Sequence, residues 1–122
     1  MAKARISEAE GRAALDAWVA AGEAATRTDR AAAVRYTLQV LAERAPGASV
    51  EVRVPPFGAV QCIEGPGHTR GTPPNVVEVD TETWLALATG RLSWNDAMTA
   101  GVVRASGTRA SLEALLPVVR LR

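Results

Sequence analysis

His68, Thr69, Arg70, Thr72 and Asn75 fall within eight residues, on a stretch (65–75) rich in proline and glycine. An arginine there could fork onto a carboxylate or phosphate, and amides around Gly67 or Gly71 could form an anion-binding nest. His68, Arg70 and Asn75 are therefore the polar candidates for holding a ligand's head group. The same run also reads as a rigid surface connection whose polar groups satisfy local backbone. It is not a phosphate loop, because the Gly-Lys-Ser/Thr signature is absent. Cys62 precedes His68 by six residues, which raises the idea of a nucleophile and its base. No third residue that would orient them is identifiable, and a buried structural cysteine is the simpler reading. The carboxylate pairs Glu8/Glu10, Glu78/Asp80 and Asp80/Glu82 are accounted for by helix capping, first-turn dipole preference and strand exposure. No catalytic residue is assigned and the chain is not expected to be an enzyme. One cysteine and one histidine exclude a multi-cysteine or multi-histidine metal centre, and no cofactor is expected.

The chain has 122 residues, which suits one domain over 1–122, with a first helix over 7–22 that reads as an added element. Its apolar content is unusual in kind: 24 alanines against five aromatics, Trp18, Tyr36, Phe57, Trp84 and Trp94. Large apolar side chains are scarce, so their positions carry information. The net charge is +1, and the 13 arginines are spread along the chain among acids. A nucleic-acid binder concentrates basic charge on one face, so no nucleic-acid partner is expected. No 18-residue apolar run is present, so no transmembrane segment is expected. No basic-then-apolar segment opens the chain, so a cytoplasmic location is expected.

Spacing then predicts the elements that must position these groups. Ser7 with Glu10 has capping-box spacing and starts the helix 7–22, with Leu15, Trp18 and Val19 on one face and Gly22 as its stop. A loop covers Glu23–Thr28. A second helix spans 29–45, capped by Thr28 or Asp29, with Val34, Thr37, Leu38, Leu41 and Ala45 as its apolar stripe, and ends at Pro46-Gly47. The period then changes to two. Val50, Val52 and Val54 alternate with Glu51 and Arg53, as in a strand with one wet face. Pro55-Pro56 marks a corner, and strands follow at 57–64 and 75–79. Asp80 caps a short helix over 81–89 that stops at Gly90. Ser93 and Asp96 start another, which Gly101 ends. A strand at Val102–Ser106, with Val103 and Ala105 on one face, leads through Gly107 into a closing helix over 108–116 that Pro117 terminates. The order ααβββααβα implies an α+β fold, mainly antiparallel, with helices packed on one face of the sheet.

The last third resembles the C-terminal half of sterol carrier protein type 2 domains. There a strand runs into a capped helix, a Gly-x-Leu turn, a short helix, a Gly-x-hydrophobic-x-hydrophobic-x-Gly stretch and a last helix. The matching positions are Asp80, Trp84, Leu85, Leu87, Gly90, Leu92, Ala97, Gly101, Val103, Ala105, Gly107, Leu112 and Leu115. The middle, Pro46 to Gln61, is similar to an actinobacterial branch of sterol-carrier-like proteins. It also resembles the C-terminal domain that accompanies mycothiol-dependent maleylpyruvate isomerases. The polar run at 65–74 departs from the eukaryotic pattern. The resemblance implies a sheet with helices on one side around an apolar cavity. It also implies a non-catalytic role in holding a fatty acyl or other hydrophobic ligand. By position in the matched segment, Trp84, Leu85, Leu87, Met98, Val103, Leu112, Leu115 and Leu116 are the cavity candidates, and the same residues could simply pack the core. A second reading is an accessory module whose apolar face packs on a partner chain or on a second copy as a homodimer.

Overall fold

The computed structural model describes residues 5–65 and 74–121. Helix α1 spans Glu8–Ala21, and a 3₁₀ turn follows at Gly22–Ala24. Helix α2 spans Arg27–Arg44, then come strands β1 (Val50–Val54), β2 (Gly58–Cys62) and β3 (Asn75–Glu78). Helices α3 (Thr81–Thr89) and α4 (Trp94–Ala100), strand β4 (Arg104–Ser106) and a 3₁₀ turn at Glu113–Leu115 complete the order. The fold is α+β, as expected.

The sheet order is β2-β1-β3-β4. Val52 sits opposite Val60 in the antiparallel β1–β2 pair and opposite Val77 in the parallel β1–β3 pair, while β3 and β4 run antiparallel. Residues paired directly across strands share a face. Val50, Val52, Val54, Cys62 and Val77 therefore line one face, and all five are fully buried. The opposite face carries Glu51 and Arg53, which pair with each other, together with Glu78 and Arg104. Helix residues pack against the apolar face in one core.

Local chemistry sets most element ends. The hydroxyls of Ser7 and Ser93 and the carboxylate of Asp80 each accept a backbone N–H three residues on, from Glu10, Asp96 and Thr83. Gly90 and Gly101 end α3 and α4 in the left-handed conformation, which only glycine takes freely. The cap of α2 is Thr26, whose hydroxyl accepts from Asp29, and not Thr28 or Asp29. The helix starts early because the 3₁₀ turn brings Thr26 into the extended cap conformation. Val34, Thr37, Leu38 and Leu41 of the predicted stripe are buried, and Tyr36 with them, whereas Ala45 is the C-cap beyond the helix and only half-buried. Val19 does not share the buried face of Leu15 and Trp18; it is 38% exposed.

Helix α1 is held at both ends. Gly11 lies directly against the ring of Tyr36, where a Cβ would overlap three ring carbons. Trp18 donates its indole N–H to Glu82 at 2.9 Å, and Glu82 also accepts from Arg30 at 3.1 Å. The Arg91 guanidinium lies 5.2 Å from the Trp18 ring centre. One carboxylate thus ties α1 and α2 to the start of α3. Before α1, the amide of Gln39 accepts from the Ile6 N–H (2.9 Å) and donates to the Ile6 carbonyl (2.8 Å).

Two expectations near the C-terminus are corrected. The predicted strand Val102–Ser106 shortens to Arg104–Ser106, so Val103 is buried ahead of it while Ala105 is exposed. The predicted helix 108–116 is not an α-helix; only the 3₁₀ turn Glu113–Leu115 forms. The Arg109 N–H is captured by the side chain of Asn75 at 2.8 Å, and Pro117 removes a donor downstream. Between Gly107 and Pro117 the few remaining residues cannot repay helix nucleation against those tertiary bonds. The segment instead runs on to Val118 and Val119, whose N–H groups both donate to the carbonyl of Ala88.

Candidate functional site

A groove of about 710 Å³ runs between the β2 edge of the sheet, α2 and the segment entering α1. Ile6, Leu38, Phe57, Gly58, Ala59 and Val60 give it apolar walls, and Arg5, Glu10, Arg35 and Gln39 its polar ones. Its volume falls in the ~300–1,000 Å³ range of small-molecule sites. Three segments far apart in sequence meet here, and each is fixed by a nameable contact. The Gln39 amide holds Ile6 in place. Arg27, the first residue of α2, lies 5.1 Å from the Phe57 ring centre, so the aromatic at the Pro-Pro corner is held against the helix. Gly58 lets β2 approach α2 closely, since a Cβ there would stand 3.2 Å from Leu38 Cδ1.

Arg5 closes one end. Its Nε and Nη2 donate to the two oxygens of Glu43 at 2.7 and 2.9 Å. These hydrogen bonds, more than the charge alone, hold the Glu43 carboxyl below its ordinary value. Arg35 stands exposed in the groove wall and forms no ion pair among the described residues.

The cavity candidates named from sequence do not meet in one place. Trp84, Leu85, Leu87 and Leu112 are fully buried, and Val103 is nearly so. The Trp84 indole donates to the Thr37 hydroxyl at 2.8 Å, and that hydroxyl donates in turn to the Ala33 carbonyl. Leu87 and Leu116 border a cleft of about 230 Å³ beside Trp94 and Pro117. Leu115 borders an apolar depression of about 490 Å³ with Ala45, Pro46, Ile63 and Ala114. Met98 is 43% exposed on α4.

Of the polar candidates, His68 and Arg70 lie outside the described residues. Asn75 is buried, and both ends of its amide are engaged. It donates to the Ser49 carbonyl at 2.9 Å and accepts from the Arg109 N–H. A Cβ on Gly107, whose φ is +107°, would overlap the Asn75 Oδ1. Asn75 thus joins the starts of β1 and β3 to the loop after β4.

Cys62 is buried on the inner face of β2, and burial pushes its thiol from 9.0 up to about 11. At neutral pH it is the protonated thiol, which is a poor nucleophile. Native protein at pH 8 is therefore expected to resist iodoacetamide, and full labelling is expected only in denaturant. Between pH 9 and 11 the unfolded chain ionises this thiol and the folded chain does not, so stability should fall across that window. Rapid native alkylation at pH 8, followed by mass spectrometry, would contradict the burial of Cys62. Among the described residues no group of three His, Cys, Asp or Glu side chains could hold a metal ion.

Sequence reasoning missed the groove residues Arg5, Ile6, Arg35, Gln39 and Val60. Phe57 at the Pro-Pro corner was the one visible signal, because a lone large aromatic beside a strand end has to rest on something. The rest depends on how α1 and α2 pack, which no spacing reveals.

The family model described as "Bacterial SCP ortholog" matches residues 26–118. The match takes in α2, the whole sheet, α3 and α4, and begins after α1. No curated protein matches the chain.

Proposed function

The chain belongs to the family of bacterial sterol-carrier-protein orthologues, and from that premise we propose that it binds an apolar small molecule, without chemistry on it, in the groove between α2 and the β2 edge. The observation that carries this reading is the wall composition. Ile6, Phe57 and Val60 offer an apolar surface that the fold leaves partly uncovered, over the buried Leu38, with Arg35 and Gln39 alongside to meet a polar end. Apolar contact supplies the affinity and a few polar groups set orientation. The ligand is of the fatty acyl kind, an extended apolar body with one polar end, and it lies between sheet and helix. Trp84, Leu85, Leu87 and Leu112 are fully buried and do not line this groove. Asn75, being spent on the backbone, takes no part in binding.

Native mass spectrometry of gently purified protein should show a co-purified apolar ligand. Val60→Trp places an indole in the groove from a half-buried position on β2, so little core packing is disturbed. We expect it to weaken binding of a fluorescent fatty acid at least about tenfold, the loss of roughly 1.4 kcal/mol of contact, with the melting temperature nearly unchanged. Equal binding by Val60→Trp and the parent would overturn the assignment to this groove.

A second reading has one observation in its favour. Strand β2 is a sheet edge, and Gly58–Cys62 carries no charged residue, whereas edges are usually blunted by charge or proline. A partner strand, including that of a second copy, could add there. Sedimentation showing a concentration-dependent dimer that Val60→Trp abolishes would favour this accessory role over ligand carriage.

A further inference from the structure

A polar crevice of about 270 Å³ lies on the other side of Arg5, between α1, the end of α2 and Val118–Val119. Arg12, Arg44, Tyr36 and Glu8 line it together with the Arg5–Glu43 pair. The charges there do not cancel. Glu43 spends both carboxylate oxygens on Arg5, which removes that pair from the balance. Arg12 and Arg44 remain against Glu8, and none of these three forms an ion pair among the described residues. Arg12 Nη1 donates to the Arg120 carbonyl, but its Nε–H is buried and finds no acceptor among the described residues. A buried guanidinium N–H without a partner is costly, and such a group is a ready donor to an incoming acceptor.

We propose that this crevice binds phosphate, either free or as the phosphoryl head of a larger molecule, with Arg12 and Arg44 as its cationic partners. Size supports a compact anion. A water molecule occupies about 30 Å³ of liquid, so the crevice has room for a tetrahedral oxyanion and residual waters. Chemistry supports it too: the planar guanidinium presents parallel N–H groups that match two phosphate oxygens, and an oxygen at the Arg12 Nε–H would satisfy the orphan donor. The proposal does not rest on the groove reading. Arg12 belongs to α1, which precedes the matched span, while Arg44 lies within it.

The test is a titration with inorganic phosphate, followed by ³¹P line width and by melting temperature against chloride of equal ionic strength. A parallel arm uses neutral vesicles with and without phosphatidic acid, which separates a free ion from a membrane head group. We expect saturable binding in at least one arm, weakened about tenfold or more in both Arg12→Gln and Arg44→Gln. Glu8→Gln should tighten it about threefold by removing a like charge. Arg12→Gln could loosen α1. Arg44→Gln, at the exposed end of α2, keeps the test valid in that event. Absence of saturable binding in both arms, or binding that neither arginine variant changes, would overturn the proposal.

Discussion

Trp84→Ala is expected to destabilise the protein by about 3–5 kcal/mol, the usual range for emptying a buried aromatic site. Trp84 is the largest of the fully buried side chains, in a core whose other members are mostly leucine, valine and alanine. Little neighbouring bulk can collapse into the space it would leave. The indole also donates to Thr37, whose hydroxyl is fixed in place by its own bond to Ala33. Truncation therefore strands a polar oxygen beside a void, and both terms act in one direction. Against a total stability of roughly 5–15 kcal/mol, such a loss leaves a marginal protein. Trp84→Phe keeps most of the ring and loses the hydrogen bond, so it should fall between the two. Guanidinium unfolding of the three proteins measures this directly. A cost under about 1 kcal/mol for Trp84→Ala would mean that the ring borders open space, and would move the ligand site from the groove to the interior.

Where one residue's own chemistry decides, the sequence could be read closely. Ser7, Asp80 and Ser93 cap because an oxygen three residues ahead of a free N–H needs nothing from the rest of the fold. The glycine stops at 90 and 101 are local in the same way. The valine alternation of β1 faced the helices because only one face of the sheet is covered. Reading failed where distant parts compete. Residues 108–116 carry leucines at helical spacing, yet Asn75, more than 30 positions away, takes the Arg109 N–H that a first turn would leave open. Asn75 looked like a ligand contact because an exposed asparagine in a loop and a buried one tying three backbone segments are identical in sequence. The groove shows the same limit. Gln39 lies next to the apolar stripe of α2, and nothing near it indicates that its amide will pair with the backbone of Ile6. Trp84 stands out in the sequence as scarce bulk; spacing does not say whether it fills the core, and the Thr37 bond fixes it there.

Gly11→Ala carries the second large effect, and it separates the matched span 26–118 from the helix that precedes it. A methyl on Gly11 would occupy the position of the Tyr36 ring, and that ring is itself buried on α2. Neither helix can yield without breaking other contacts: α1 is tied at Trp18 to Glu82, and α2 underlies the sheet. Alanine favours the helix itself by about 1 kcal/mol over glycine, so an isolated α1 would gain stability. Overpacking costs about 1–3 kcal/mol or more, and here the clash falls on a buried aromatic ring. The packing term wins, and the cheapest relief is for α1 to lift off while residues 26–118 keep their fold. Since Arg5, Ile6 and Glu10 wall the groove and Arg12 lines the crevice, lifting α1 should weaken fatty-acid and phosphate binding together. Limited proteolysis should then cut within 5–21 while leaving the remainder intact, and hydrogen exchange should show protection lost in α1 first. Pairing Gly11→Ala with Tyr36→Leu opens the space the methyl needs, so the double variant should recover much of the loss, a coupling that a double-mutant cycle reads out. If Gly11→Ala matched the parent in stability, proteolysis and both affinities, the close approach of α1 to α2 would be absent in solution, and with it the wall that both sites share.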